Sequence, residues 1–276
     1  MKKIIAAFDG LKFSESTKEY AITLAKSSNA HLTGVFLDDI TYTSYKIYEL
    51  VSKEGVSVEK QNILDKKDEQ KRKLSEKNFD QACQQNGLNY SVHHDHKIAI
   101  RELLHETIYS DLLLIDANET LTHYEEEPPT RFVHRLLTET HCPVLLVPEK
   151  YRPVEKIILL YDGEPSSVYA IKMFSYLLHS LKHLPAEVLS VKTINQTLHL
   201  PDNKLMREFM KRHYPDADYT VLKGEARSKI PFYLKSQHEN ILVVLRAYHR
   251  GTISRMIDES MADILMKDLK VPLFIA

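Results

Sequence analysis

Lys2-Lys3-Ile4-Ile5-Ala6-Ala7-Phe8-Asp9-Gly10 and Glu155-Lys156-Ile157-Ile158-Leu159-Leu160-Tyr161-Asp162-Gly163 are two versions of one stretch. Each is a short apolar run closed by Asp-Gly. A run that stays apolar without alternating reads as a strand buried on both faces, as in a parallel sheet. Asp-Gly is a turn dipeptide. An acid placed where a buried strand opens into a loop stands at the carboxyl edge of the sheet. That is the edge at which open α/β sheets bind ligands.

The repeat extends outward from this stretch. Asp9 and Asp162 are 153 residues apart (162 − 9), whereas Pro143 and Pro272, each heading an apolar run, are 129 apart (272 − 143). The offset of 129 also aligns Asn89-Tyr90-Ser91-Val92 with Asp218-Tyr219-Thr220-Val221, and Asp111-Leu112-Leu113-Leu114 with Asn240-Ile241-Leu242-Val243. The second halves of the two copies therefore superpose without a gap, and the excess in copy one falls earlier, at about residues 39–87. Both copies read as strand, serine-led helix (14–28; 166–182), strand (32–37; 187–191), helix and strand (90–94; 219–223). A short helix (98–109; 228–237), a fourth strand, a last helix (132–138; 254–267) and a fifth strand follow. Strands alternating with helices of this length predict βαβ units and a parallel sheet, wound by right-handed crossovers into a helix–sheet–helix sandwich. The expected organisation is two tandem α/β doubly wound domains, 1–149 and 154–276, each with a five-stranded parallel sheet. The short connector between them carries Pro148 and Pro153 and predicts little freedom between the domains.

Composition sets limits on function. The 276 residues carry a formal net charge of -1, with 43% hydrophobic and 27% charged residues. That is globular, and it supplies no field to recruit nucleic acid or an anionic membrane. The apolar run at the start stops at Asp9, and no run is long enough for a membrane span. Only two cysteines occur, Cys83 and Cys142, in no metal or redox spacing. A cytoplasmic location is the expectation. Glycines number only 7, few for a protein that cradles phosphates with glycine-rich loops.

Within the insertion, a tyrosine-bearing segment (residues 41–50) reads as a lid over the carboxyl edge, an inter-domain contact or ordinary surface packing. A long helix (residues 58–85) alternates charges in sign, the pattern of a solvated face laced with i,i+4 pairs. His93-His94-Asp95-His96 has the composition of a metal cluster. Strand alternation, however, sends His93 to one face and His94 and His96 to the other, and no third ligand is evident. No metal site is expected. No GxSxG, P-loop or HExxH occurs.

Strand-Asp-Gly, serine-led helix, fourth strand, variable loop, helix and Cys142-Pro143-Val144-Leu145-Leu146-Val147-Pro148 together resemble the universal stress protein family in its tandem form. The resemblance covers nearly the whole chain, twice. It implies an adenine nucleotide alpha hydrolase-like fold, with the two copies paired through their last strands as an intramolecular pseudo-dimer. Such pairing would cover the exposed edges at residues 144–147 and 273–276. Members that bind ATP are similar in a loop after strand four: glycine, two residues, glycine, nine residues, glycine and a hydroxyl residue. In domain 1 those positions hold Asp116 and Glu119, or Ala117 and Thr120, with Thr130-Arg131 last. Glu125-Glu126-Glu127-Pro128-Pro129 lies between, its carboxylates repelling phosphate and its prolines deleting N–H donors near the helix start. In domain 2 they hold Leu245 and Tyr248, or Arg246 and His249, then Glu259-Ser260. The domain 2 loop still carries Arg246, Arg250, Gly251, Thr252, Ser254 and Arg255. It reads either as a solvated loop or as an anion site built from side chains. The strand-one aspartate contacts nucleotide in binding members, which carries over to Asp9 and Asp162. Without the glycine loop, an acid there caps the following turn.

The resulting expectation is a non-catalytic stress-response or signalling protein with no cofactor, acting through an unknown protein partner and able to homodimerise. The alternative is a nucleotide or anion sensor that takes ATP or AMP in domain 2, lined by Asp162, Gly163, Arg250, Gly251, Ser254 and Ser260, with Asp9 the matching position in domain 1. ATP hydrolysis ranks last, because no pieces for activating a water are evident.

Overall fold

The computed structural model describes residues 1–37, 43–45, 51–52, 55–56, 58–95, 98–193, 199–246 and 260–276. In the first half, β1 (Lys3–Asp9), α1 (Glu15–Ser28), β2 (His31–Leu37), a two-stranded ribbon β3 (Val51–Ser52) and β4 (Gly55–Val56), and α2 (Val58–Gln85) lead to β5 (Tyr90–Asp95). Then come α3 (Ala99–Thr107), β6 (Leu112–Asp116), α4 (Arg131–Glu139) and β7 (Val144–Val147). The second half runs β8 (Lys156–Leu160), α5 (Pro165–Leu177), β9 (Ala186–Lys192), α6 (Asn203–His213), β10 (Asp218–Lys223), α7 (Ala226–Lys235), β11 (Ile241–Leu245), α8 (Met261–Asp268) and β12 (Leu273–Ile275).

The main strands form one ten-stranded sheet in the order β10-β9-β8-β11-β12-β7-β6-β1-β2-β5. Within each half of this sheet every pairing is parallel. Between the halves, β12 and β7 pair antiparallel, with Leu273 opposite Leu146, Phe274 opposite Leu145 and Ile275 opposite Val144. The two five-stranded sheets and the last-strand pairing read from the sequence are both present. All four residues of β7 and all three of β12 are buried, so the seam is a core element and not a surface contact.

Continuous apolar strands are buried on both faces because helices cover both. Ile4, Ala6 and Phe8 face one core and Ile5 and Ala7 the other, as the two-residue period of a strand requires. The first core is roofed by α1, α2, α5 and α6, and the second by α3, α4, α7 and α8. The first core runs unbroken across the seam, through Leu145 and Val147 to Phe274 and Phe174. On that side α1 also meets the second half directly, Ser27 Oγ bonding Ser180 Oγ at 3.0 Å.

Several helix ends differ from the sequence reading. Ser14 is the cap of α1, its hydroxyl accepting from the Thr17 N–H at 3.2 Å, as expected. Ser166 is not a cap. α5 begins at Pro165, a residue pre-set for the first helical position, after Glu164. It ends at Leu177, and a separate 3-10 turn covers His179–Leu181. Of the last helix expected at 254–267, residues 254–259 lie outside the described residues. Ser260 is extended, at φ -75° and ψ 162°, and α8 begins after it.

Candidate functional site

In the first half, the carboxyl edge is filled by the chain's own acids. Asp9 ends β1 with only 1% of its surface exposed, and its Oδ1 accepts from the Leu11 N–H at 2.7 Å. That is an Asx turn, in which a short carboxylate satisfies the backbone two residues on. Asp116 ends the neighbouring β6. It accepts from Ser14 Oγ at 2.9 Å and from the Asn118 N–H at 2.9 Å. Glu119, 7% exposed, accepts from the Thr120 and Leu121 N–H groups at 2.9 and 2.8 Å. Burial, and then the nearby charge of Asp9, push its carboxyl up to about 7, against the pull of the two N–H groups.

The amino end of α4 is where a phosphate would meet helix N–H groups. It is already taken. Glu126 Oε2 accepts from the Arg131 N–H at 2.8 Å. Thr130 caps the helix, accepting from the Val133 N–H at 3.2 Å, and its hydroxyl donates to the Glu119 carbonyl. This corrects one physical reason read from the sequence. Pro128 and Pro129 precede the cap, so they remove none of the helix's own donors; a carboxylate occupies them instead. From the other side Ser75 of α2 donates to the Gly10 carbonyl at 2.8 Å. The insertion therefore reaches the Asp-Gly turn through its long helix. Of the tyrosine segment, the described residues are tied to that helix: the Ser44 N–H donates to Asp68 at 2.8 Å, and Tyr45 donates to Asp65.

The second half is more open at the equivalent place. The Asp162 side chain is 46% exposed, and its Oδ2 lies 3.5 Å from Arg246 Nε. Its Oδ1 accepts from the Glu164 N–H at 3.0 Å. Arg246, just past β11, also reaches Ser166 Oγ at 3.4 Å. Gly163 sits at φ +94°, a conformation suited to glycine. A side chain there would also meet Pro201, 2.7 Å from a Cβ at that position. Tyr161 donates to the Pro201 carbonyl at 3.1 Å, which ties the segment before α6 to this edge. Ser260 is engaged in a capping box: its hydroxyl accepts from the Asp263 N–H at 3.1 Å, and Asp263 Oδ2 accepts from the Ser260 N–H at 2.9 Å. Asp162, Gly163 and Arg246 are thus brought together, and Ser260 caps α8. Arg250, Gly251 and Ser254 lie outside the described residues.

Histidine placement follows strand alternation. His93 Nδ1 bonds Glu106 of α3 at 2.6 Å, while His94 faces α2 with Glu76 at 3.3 Å; His96 lies outside the described residues. Among the described residues no group of three His, Cys, Asp or Glu side chains could hold a metal ion.

The sequence reading missed one buried polar cluster, at the opposite edge of the second half. Glu187 in β9 pairs with Lys156 Nζ at 2.8 Å, its side chain only 3% exposed, and accepts from the Tyr233 hydroxyl. Burial alone would raise Glu187. The hydrogen bonds from Lys156, Thr220 and Tyr233 outweigh it and hold the carboxyl below its usual range. The available signal was an acid, Glu187, inside an otherwise apolar strand.

Solved structures with this architecture include universal stress proteins. One from Archaeoglobus fulgidus DSM 4304 aligns with a TM-score of 0.70 at 12% identity, over 99% of this chain and 97% of its own. The chain carries that fold, in tandem. A putative universal stress protein from Pseudomonas aeruginosa UCBPP-PA14 aligns with a TM-score of 0.61 at 14% identity, over 100% of this chain and 92% of its own. A functionally unknown protein from Pseudomonas aeruginosa PAO1 aligns at 0.65 and 14%, with the same coverage. No family model matches the sequence, and no curated protein does. At 12–14% identity the likeness to these structures is one of fold. No helix among the described residues is long and apolar enough to cross a membrane.

Proposed function

We propose that this chain is a non-catalytic two-domain universal stress protein with a stress-response or signalling role, exerted through its surfaces, and that its first domain takes no ATP. The observation that carries this reading is the Glu126 carboxylate on the Arg131 N–H at the start of α4. A triphosphate would have to displace it and sit beside Asp9 and Asp116, where like charges at short range repel. Each half ends in a domain of ordinary size, and the tandem fold supports reading residues 1–149 and 154–276 as those domains. The test is native mass spectrometry of the purified protein, with melting curves in ATP and AMP. Neither nucleotide should co-purify at stoichiometric amounts or shift the melting temperature. A stoichiometric adenine nucleotide would sink the proposal for the chain as a whole.

A second reading is favoured by Arg246. Its guanidinium lies beside both Asp162 and Ser166 at a half-open edge, and a planar fork of donors suits an anion. On this reading domain 2 is a nucleotide or anion sensor, with Asp162, Gly163, Arg250, Gly251, Ser254 and Ser260 as its lining. A melting shift with ATP that Arg246→Ala and Arg250→Ala both abolish would favour it over the first.

A further inference from the structure

The connector between the halves runs beneath the amino ends of β12 and β11 on its way from β7 to β8. There it closes one side of a cavity of about 230 Å³. Three stretches distant in sequence supply its charged lining: Lys150 and Arg152 from the connector, Lys235, His238 and Glu239 from the end of α7, and Lys270 from the turn before β12. Lys235 is paired with Asp268 at 3.1 Å, and Glu239 leaves one carboxylate in the lining. Among the described residues no carboxylate lies within ion-pairing distance of Lys150, Arg152 or Lys270.

Lysines near helix ends are ordinarily explained by the carbonyl dipoles they face. That accounts for Lys235, in the last turn of α7. It leaves Lys150 and Arg152, which belong to no helix. Nor is the connector loose. The Tyr20 hydroxyl donates to the Arg152 carbonyl at 2.8 Å and accepts from the Arg152 N–H at 3.4 Å. The Tyr20 and Tyr151 rings meet edge to face at 4.7 Å. The side chains of Lys150, Arg152 and Lys270 are exposed; their like charges, gathered around one concavity, repel one another at a cost that a bound anion removes.

We infer that this cavity is a second ligand site, for a compact phosphate-bearing anion clasped between the connector and the ends of α7 and α8. It lies at the amino edge of the second half's sheet, away from Asp162 and Arg246. Occupancy would tie α1 of the first half, through Tyr20 and the connector, to the second half.

Calorimetric titration of the full chain with sodium pyrophosphate, at neutral pH and constant ionic strength, tests this. Saturable binding is expected. Arg152→Gln and Lys270→Gln should each weaken it about tenfold, the loss of one charge-assisted contact. An absence of saturable heat would overturn the assignment, and binding undiminished in the Arg152→Gln/Lys270→Gln double variant would place the anion elsewhere and overturn it too. Melting of the ligand-free variants gives an independent readout: removing a repelling charge should raise the melting temperature, and a fall would count against the site.

Discussion

Glu119 is a residue whose chemistry departs far from its solution behaviour. It is a carboxyl with two N–H donors on one oxygen, buried beside Asp9. Its folded value of about 7 lies above its ordinary value of 4.5. The folded state therefore holds a proton that the unfolded chain has already released. Stability from this group is fully present below the unfolded value and is lost as pH rises from there through about 7, on the order of 3 kcal/mol. Glu119→Gln keeps the accepting oxygen and removes the titration. Its melting temperature should match the parent near pH 5 and exceed it by several degrees near pH 8. A difference that does not change with pH would refute the assignment.

The same residue marks where sequence reading stopped. That the first domain lacks the glycine loop was legible from Asp116, Glu119 and Glu125 to Glu127. That Glu126 would fold back onto the α4 N–H groups was not, because a carboxylate's partner across a loop is set by the loop's path and not by spacing. Asp162 and Arg246 are 84 residues apart (246 − 162) in the sequence and meet only because β8 and β11 are sheet neighbours.

Among the elements, the insertion helix α2 was expected to have a solvated face, and most of it is exposed. Its buried residues are Asp68, Ser75, Phe79 and Cys83, spaced to lie along one stripe. Phe79 fits directly over Gly34 of β2, where a Cβ would fall 2.6 Å from the ring. A fully buried ring among Phe8, Phe36 and Tyr90 has nowhere to retreat. Gly34→Ala should therefore cost about 1–3 kcal/mol by overpacking, read as a lower denaturant midpoint with an unchanged slope. A neutral result would mean that α2 is not seated on β2 in solution. The strands themselves were the most legible elements, because an unbroken apolar run bounded by turn residues has few alternatives. Helix starts were less so: Ser14 and Ser166 look alike in sequence, yet Pro165 takes the first helical position and leaves Ser166 inside the helix.

For the whole molecule the decisive contact is the antiparallel seam, because the first core passes through it. Phe274, fully buried, meets Phe174 edge to face at 5.1 Å and stands opposite Leu145 of the other half. Phe274→Ala should cost about 3–5 kcal/mol. The loss should appear in both halves at once: amide exchange should accelerate in β1 as well as in β8, and thermal unfolding should remain a single transition. If only the second half lost protection, the halves would be folding independently. The pairing of last strands was legible only through the family likeness. Nothing in the runs at 144–147 and 273–276 states that they meet each other and not a second copy.

Because all strands of one half run against all strands of the other, the Asp9 edge and the Asp162 edge open toward opposite poles of the same slab. At the ordinary spacing of neighbouring strands the sheet is about 43 Å across. A body that covers one pole leaves the other uncovered. The two poles are unlike, one sealed by its own acids and one presenting an arginine.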